Sequence, residues 1–180
     1  SFFILFFMDQ LPNQECPICH KKKATLTEDR SKIPHFGAVY VFSIQCSACK
    51  YSMSDVETEE DHPPQKHTIT VDSEKDMKIR VIKSSNATIK IPQMRMSVEP
   101  VGNASGYVSN IEGLLNRFKE IIESQRDSAE DPKARKAAKN LLKKLWKVTL
   151  GEQPLKIIIE DPTGNSAIVS DKTKVEKSKK

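Results

Sequence analysis

Four cysteines decide what chemistry this chain can do. They fall in two pairs, Cys16-Pro-Ile-Cys19 and Cys46-Ser-Ala-Cys49, and the sequence has no others. A C-x-x-C pair lets two sulfurs from one tight turn face the same ion, and two such turns complete the tetrahedral shell that zinc prefers. Cys16, Cys19, Cys46 and Cys49 are therefore the expected ligands of one zinc ion. A shell of four thiolates leaves no position for water, so the ion is expected to be structural and not catalytic. Two other readings compete. A redox dithiol needs one C-x-x-C at a helix start after a strand, and neither pair precedes a helical stripe. Two local disulfides need an oxidising compartment, and the opening residues show no secretory signal. His20 adjoins Cys19 and is expected outside the shell. This cysteine usage places the chain in the cytoplasm.

No other constellation carries chemistry. There is no glycine loop for phosphate and no G-x-S-x-G elbow. His20, His35, His62 and His67 lack the spacing of a metalloprotease. The expectation is a protein that is not an enzyme. A net charge of +5 permits an acidic partner or nucleic acid without demanding either.

The elements that must position the cysteines follow from periodicity. Residues 9–57 hold both pairs and read as a four-cysteine zinc ribbon, with strand character from Ala38 to Ile44 before the second knuckle. Asp55 to Asp61 is acidic and leads into Pro63-Pro64, the signature of a linker. Beyond it, 66–71, 78–82, 87–91 and 94–98 alternate apolar and polar residues, as half-buried strands do. The period then changes. Ile111, Leu114, Leu115, Phe118, Ile121 and Ile122 form a helical stripe, with Ser109 and Glu112 as a capping box. A second helix is expected to start at Asp131-Pro132, with the stripe Ala134, Ala138, Leu141, Leu142, Leu145 and Trp146. Strand character returns at 155–159 and, after the turn Asp161-Pro162-Thr163-Gly164, at 167–169. The fold class is mainly β with an inserted α-helical hairpin (α+β): a ribbon, then a β domain over 64–170 with the hairpin at about 109–149. The lysine-rich residues 171–180 read as a disordered basic tail. The apolar opening Phe2 to Phe7 is too short to span a bilayer. Met8 is read as the natural start, the alternative being a strand or anchor that packs on the body.

Several motifs taken together resemble one family. Ile33-Pro34-His35-Phe36, Val39 to Ser43 and Cys46-Ser-Ala-Cys49-Lys50-Tyr51 resemble the finger of the ZPR-type zinc-finger family, with Lys50 standing where that family has glycine. Val81-Ile82-Lys83-Ser84 with Ile91-Pro92, Gly106 with Ile111-Glu112-Gly113-Leu114-Leu115, and Asp161-Pro162 with Gly164-Asn165-Ser166 match further motifs in the same order. The resemblance covers about residues 14–170. It implies a zinc ribbon joined to a double-stranded β-helix-like domain with an inserted helical hairpin. It also implies a single-unit, archaeal-like form of a family whose two-unit members bind translation elongation factor one-alpha and assist its folding.

Candidate partner surfaces are the loop Ile33, Pro34 and Phe36 and the turn residues Asp161 and Asn165. The competing reading packs Phe36 on the zinc core and uses the turn for geometry alone. The alternative function is a nucleic-acid-binding zinc ribbon. Arg135, Lys136, Lys139, Lys143, Lys144 and Lys147 lie off the second helix's apolar stripe, with no aromatic residue expected among them.

Overall fold

The computed structural model describes residues 7–33, 36–60, 62–102 and 104–178. Pro34, one of the expected partner residues, lies outside them, as do His35, residues 1–6 of the apolar opening and the last two tail lysines.

The ribbon is a four-stranded antiparallel sheet in chain order: β1 (Phe7–Glu15), β2 (Lys22–Ile33), β3 (Gly37–Cys46) and β4 (Ser52–Thr58). Its middle pair is long. Ala24 faces Cys46 at one end and Ile33 faces Gly37 at the other. Period-two alternation gives the sheet one face that meets the β domain through Val39 and Val56. The acidic run expected to be a linker is strand as far as Thr58, and only a short connection separates it from the next element.

The β domain has two antiparallel sheets. The larger orders β12 (Lys174–Lys177), β5 (Gln65–Val71), β10 (Leu155–Asp161), β7 (Thr88–Ile91) and β8 (Met96–Val98). The smaller orders β11 (Ala167–Val169), β6 (Arg80–Lys83) and β9 (Tyr107–Asn110). Side chains of both sheets share one core: Ile69, Val71, Ile89, Ile91, Ile157 and Ile159 from the larger, Val81 and Ile168 from the smaller. Two expected strands are shorter than their alternation suggests. Glu74–Lys78 and Pro92–Met94 are short 3-10 helices, where the Asp76 carboxylate accepts from the Asp72 and Ser73 N–H groups or proline withholds a donor.

Between β9 and β10 runs the helical hairpin, α1 (Ile111–Ser128) and α2 (Pro132–Thr149). Leu114, Leu115, Phe118 and Ile122 of α1 fill the shared core. The cap of α1 sits one residue later than expected: the Asn110 side chain accepts from the Gly113 N–H, the bond a capping residue makes. Asp131 and Pro132 start α2 as expected. Its buried stripe is Ala138, Leu145 and Val148, with Leu141 and Leu142 packed beside it. Ala134 and Trp146 leave the stripe, and Trp146 is 60% exposed.

The expected disordered tail is corrected too. Lys174–Lys177 pairs with β5 as an edge strand. Lys172 fixes its start, with Nζ donating to Asp72 Oδ1 and Asp76 Oδ2, each at 2.8 Å. Its charge is spent on ion pairing rather than on solvation, so composition alone misreads the segment. Burial raises the Asp76 carboxyl, but the Lys172 ammonium and the Asp72 and Ser73 N–H groups outweigh it and hold the pKa at about 2. A lowered folded pKa gives stability that is present above the unfolded value and lost as pH falls through the folded one. Asp76→Asn is therefore expected to be less stable than the parent at neutral pH. The gap should close between about pH 4 and pH 2, as read by urea midpoints across a pH series.

Candidate metal centre

The two knuckles are built alike. The His20 N–H donates to Cys16 O at 2.9 Å and the Lys50 N–H to Cys46 O at 3.0 Å. The Cys16 N–H donates to Lys21 O, and the Cys46 N–H to Tyr51 O. Each knuckle closes on a residue with positive φ, His20 at 57° and Lys50 at 62°. That left-handed region favours glycine, because a Cβ crowds the following carbonyl. Lys50 therefore occupies a position whose backbone asks for glycine.

These turns bring the four sulfurs together. All four lie within 4.8 Å of one another. Cys16 and Cys49 Sγ are 3.6 Å apart, and Cys19 and Cys46 Sγ 3.7 Å. A tetrahedron with zinc–sulfur bonds of about 2.3 Å has sulfur–sulfur edges of about 3.8 Å, whereas a disulfide needs about 2.05 Å. The cysteines are free, and their spacing fits one metal ion. Electrostatics agrees. The Cys49 backbone N–H holds the Cys46 thiol down at about 6. The Tyr51 N–H pulls Cys49 down, but desolvation and the three neighbouring thiols together outweigh it and push the thiol up to about 12. Four adjacent thiolates cannot all be anionic without a cation, and a divalent ion supplies that charge. Cys16, Cys19, Cys46 and Cys49 would hold it, and its role would be to cross-link two turns. His20 points away, its Nδ1 3.5 Å from Glu15.

The other expected site residues are not at the metal end. Ile33 is buried, 4% exposed, among Val39, Val56, Ile82 and Ala167. It is a core residue shared by the ribbon and the β domain, not a contact surface. Phe36 packs half-buried on that same junction and stacks on His62 at 5.8 Å, away from the zinc core. Asp161 is fully buried. Its Oδ2 accepts from Ser84 Oγ at 2.8 Å and from Ser166 Oγ; its Oδ1 accepts from the Thr163 N–H and Oγ1. That carboxylate cannot meet a partner. Asn165 is half-buried, its Oδ1 accepting from Thr58 Oγ1 of β4 at 2.8 Å. The turn thus staples the β domain to the ribbon. Gly164 (φ 75°) allows this, since a Cβ there would lie 2.5 Å from His62 O.

Sequence reasoning missed the rest of that junction. Asp55 accepts from the Ser85 N–H at 2.8 Å and from Ser85 Oγ at 2.6 Å. Ser54 and Gly106 exchange two bonds: the Gly106 N–H donates to Ser54 O at 2.8 Å, and Ser54 Oγ donates to Gly106 O at 2.7 Å. A Cβ on Gly106 would meet Asp55 Oδ1 at 2.7 Å. Lys83, buried beside them, donates to Ser84 O. Burial pushes its ammonium down, and Asp161 and Asp55 pull it back. The acidic run 55–61 was the signal, read as a linker when its first member is a contact.

A ribbon with a four-sulfur site, docked on a two-sheet β domain with an inserted hairpin, defines a zinc-finger protein. The comparisons agree. The family model of the ZPR1 zinc-finger domain matches residues 9–64, and that of the ZPR1 jelly-roll domain matches 75–180. A ZPR1-like protein of Pyrococcus horikoshii is 39% identical over 168 residues, covering 91% of this chain and 75% of that protein. One of Methanocaldococcus jannaschii is 34% identical over 165 residues, covering 91% and 83%. The zinc finger chaperone zpr1 of Schizosaccharomyces pombe is 29% identical over 157 residues, covering 84% of this chain but 34% of that protein. The chain belongs to the ZPR1 zinc-finger family. No helix among the described residues is long and apolar enough to cross a membrane.

Two outcomes follow from the metal end. Chelation is expected to abolish amide-exchange protection at residues 16–24 and 45–51, whose own core is only Cys16, Ala24 and Cys46 with three partly buried neighbours. The β domain should keep its protection. Lys50→Gly is expected to stabilise the zinc-loaded protein by about 1 kcal/mol by removing left-handed strain, measured as a raised denaturation midpoint.

Proposed function

We propose that the chain is a zinc-dependent protein-interaction module that binds and chaperones translation elongation factor one-alpha in the cytoplasm, with no catalytic activity of its own. What carries the reading is the similarity to the fission-yeast protein named a zinc finger chaperone. The architecture supports it. Metal, ribbon and β domain form one braced platform, and the core of the β domain is filled by its own side chains.

A second reading keeps one observation in its favour. Trp146 is exposed on α2, on the helix that carries Lys139, Lys143 and Lys147, so the basic helix does present an aromatic residue. A lysine-rich surface with a stacking platform is what single-stranded nucleic acid uses. The two readings separate in one experiment. The zinc-loaded protein is titrated with its own organism's elongation factor one-alpha and with labelled RNA, each across a salt series. Tight binding of the factor, lost on chelation, with no RNA binding at low salt is expected. Binding of RNA alone would overturn the chaperone reading. Its logarithmic affinity would then fall with a slope of about −0.7 for each phosphate neutralised.

A further inference from the structure

The ribbon has a second face, opposite Val39 and Val56, that touches the β domain only at its β4 edge through Asp55, and its strand register builds an unusual surface there. Leu11 faces Leu26, Leu26 faces Ile44, and Ile44 faces Met53, so one row of apolar side chains crosses all four strands. Period-two alternation puts the row two residues away on the same face: Asp9, Glu28, Phe42 and Asp55. Leu11 is 60% exposed, and Leu26 and Phe42 are each 38% exposed. The rows line a shallow groove of about 380 Å³. Tyr40 stacks on Phe42 at 6.3 Å and extends the aromatic surface. A soluble sheet face of alternating strands is normally polar where it meets water.

Charge selects the occupant. The whole chain is basic, with a net charge of +5. The row beside the apolar one is not: it carries three carboxylates and no cation, and Arg30 in the row beyond it is taken up by the Tyr40 ring and Glu59. Asp55 is partly used by Ser85, which leaves Asp9 and Glu28 exposed beside Phe42. A low-dielectric apolar strip strengthens the attraction of such carboxylates for a docked cation.

We propose that this ribbon face docks a basic amphipathic segment of a partner protein. Its apolar side chains would lie on Leu11, Leu26, Ile44 and Met53, and its lysine or arginine would meet Asp9 and Glu28. The proposal rests on the reading of the chain as a protein-interaction module and names the surface and the partner chemistry. Zinc contributes by fixing the knuckle end of the strands that carry both rows.

The test uses the full zinc-loaded chain, isotopically labelled, and two synthetic peptides of equal length that alternate leucine with lysine or leucine with glutamate. The lysine peptide is expected to shift the amides of Leu11, Leu26, Phe42 and Ile44 and to bind at least tenfold more tightly than the glutamate peptide. Glu28→Lys should remove that preference, and Leu26→Ser should weaken binding at least tenfold; both sites are exposed, so zinc content and thermal midpoint should hold. Shifts confined to α2 or the β domain, or equal binding of the two peptides, would overturn the proposal. So would a wild-type dimer that Leu26→Ser makes monomeric, since a second copy would then be the occupant. A tenfold gain in binding on deleting residues 1–6 would overturn it as well, since the chain would then cover its own face. Elongation factor one-alpha supplies the last arm. If it binds the parent and Leu26→Ser/Glu28→Lys equally, the face is wrong and the partner stands. If it binds neither while the lysine peptide maps to the face, the partner is wrong and the face stands.

Discussion

A carboxylate held out of water organises this molecule. Asp161 closes β10 with no exposure at all, and a charge in that position is costly unless every lone pair is met. Ser84, Ser166 and Thr163 meet them, and the Lys83 ammonium lies close enough to compensate the charge. The consequence is geometric. Those bonds fix the turn after β10, the turn presents Asn165, and Asn165 holds Thr58 of the ribbon. Asp55 works from the ribbon's side on Ser85, two residues after Lys83. The two domains meet where Asp55 of the ribbon accepts from the N–H and Oγ of Ser85 in the β domain, and where the Asn165 amide of the β domain accepts from Thr58 of the ribbon. Apolar contacts among Ile33, Val39, Val56, Ile82 and Ala167 complete the seam.

That seam explains why a metal is needed at the opposite end. The ribbon's inner strands run the length of the sheet, and the β domain steadies only their far half. At the knuckles the buried cluster among the described residues is three small residues, Cys16, Ala24 and Cys46, with Cys19, Ile44 and Tyr51 partly buried beside them. A core that small cannot offset the entropy of ordering two turns. Cross-linking by a single ion can, so one long sheet is held by packing at one end and by coordination at the other.

The parts written in spacing were legible. Two C-x-x-C pairs gave the sulfur cluster, and a change from period two to period 3.6 gave the hairpin inside a β unit. The order of the domains followed from the same patterns. What stayed hidden depends on tertiary partners. Asp161 reads as a solvent-facing turn residue because nothing nearby in sequence announces Ser84. Asp55 reads as part of a charged linker because Ser85 is thirty residues away. Lys172 reads as tail because Asp76 lies ninety-six residues before it. Trp146 is apolar by type, but α2 turns it outward, one hundred degrees of helix beyond Leu145.

The strand at the C-terminal end has a further consequence. β12 offers four exposed side chains, yet it pairs with the outer edge of β5 from Gln65 to Thr68. β5 is a long, regular strand with Ile69 and Val71 on its inner side, the kind of open margin along which sheets from separate molecules zip together. Without β12 that margin would be open. The exposed lysines at 174 and 177 put charge on the margin that remains, the kind of feature that discourages strand-to-strand association.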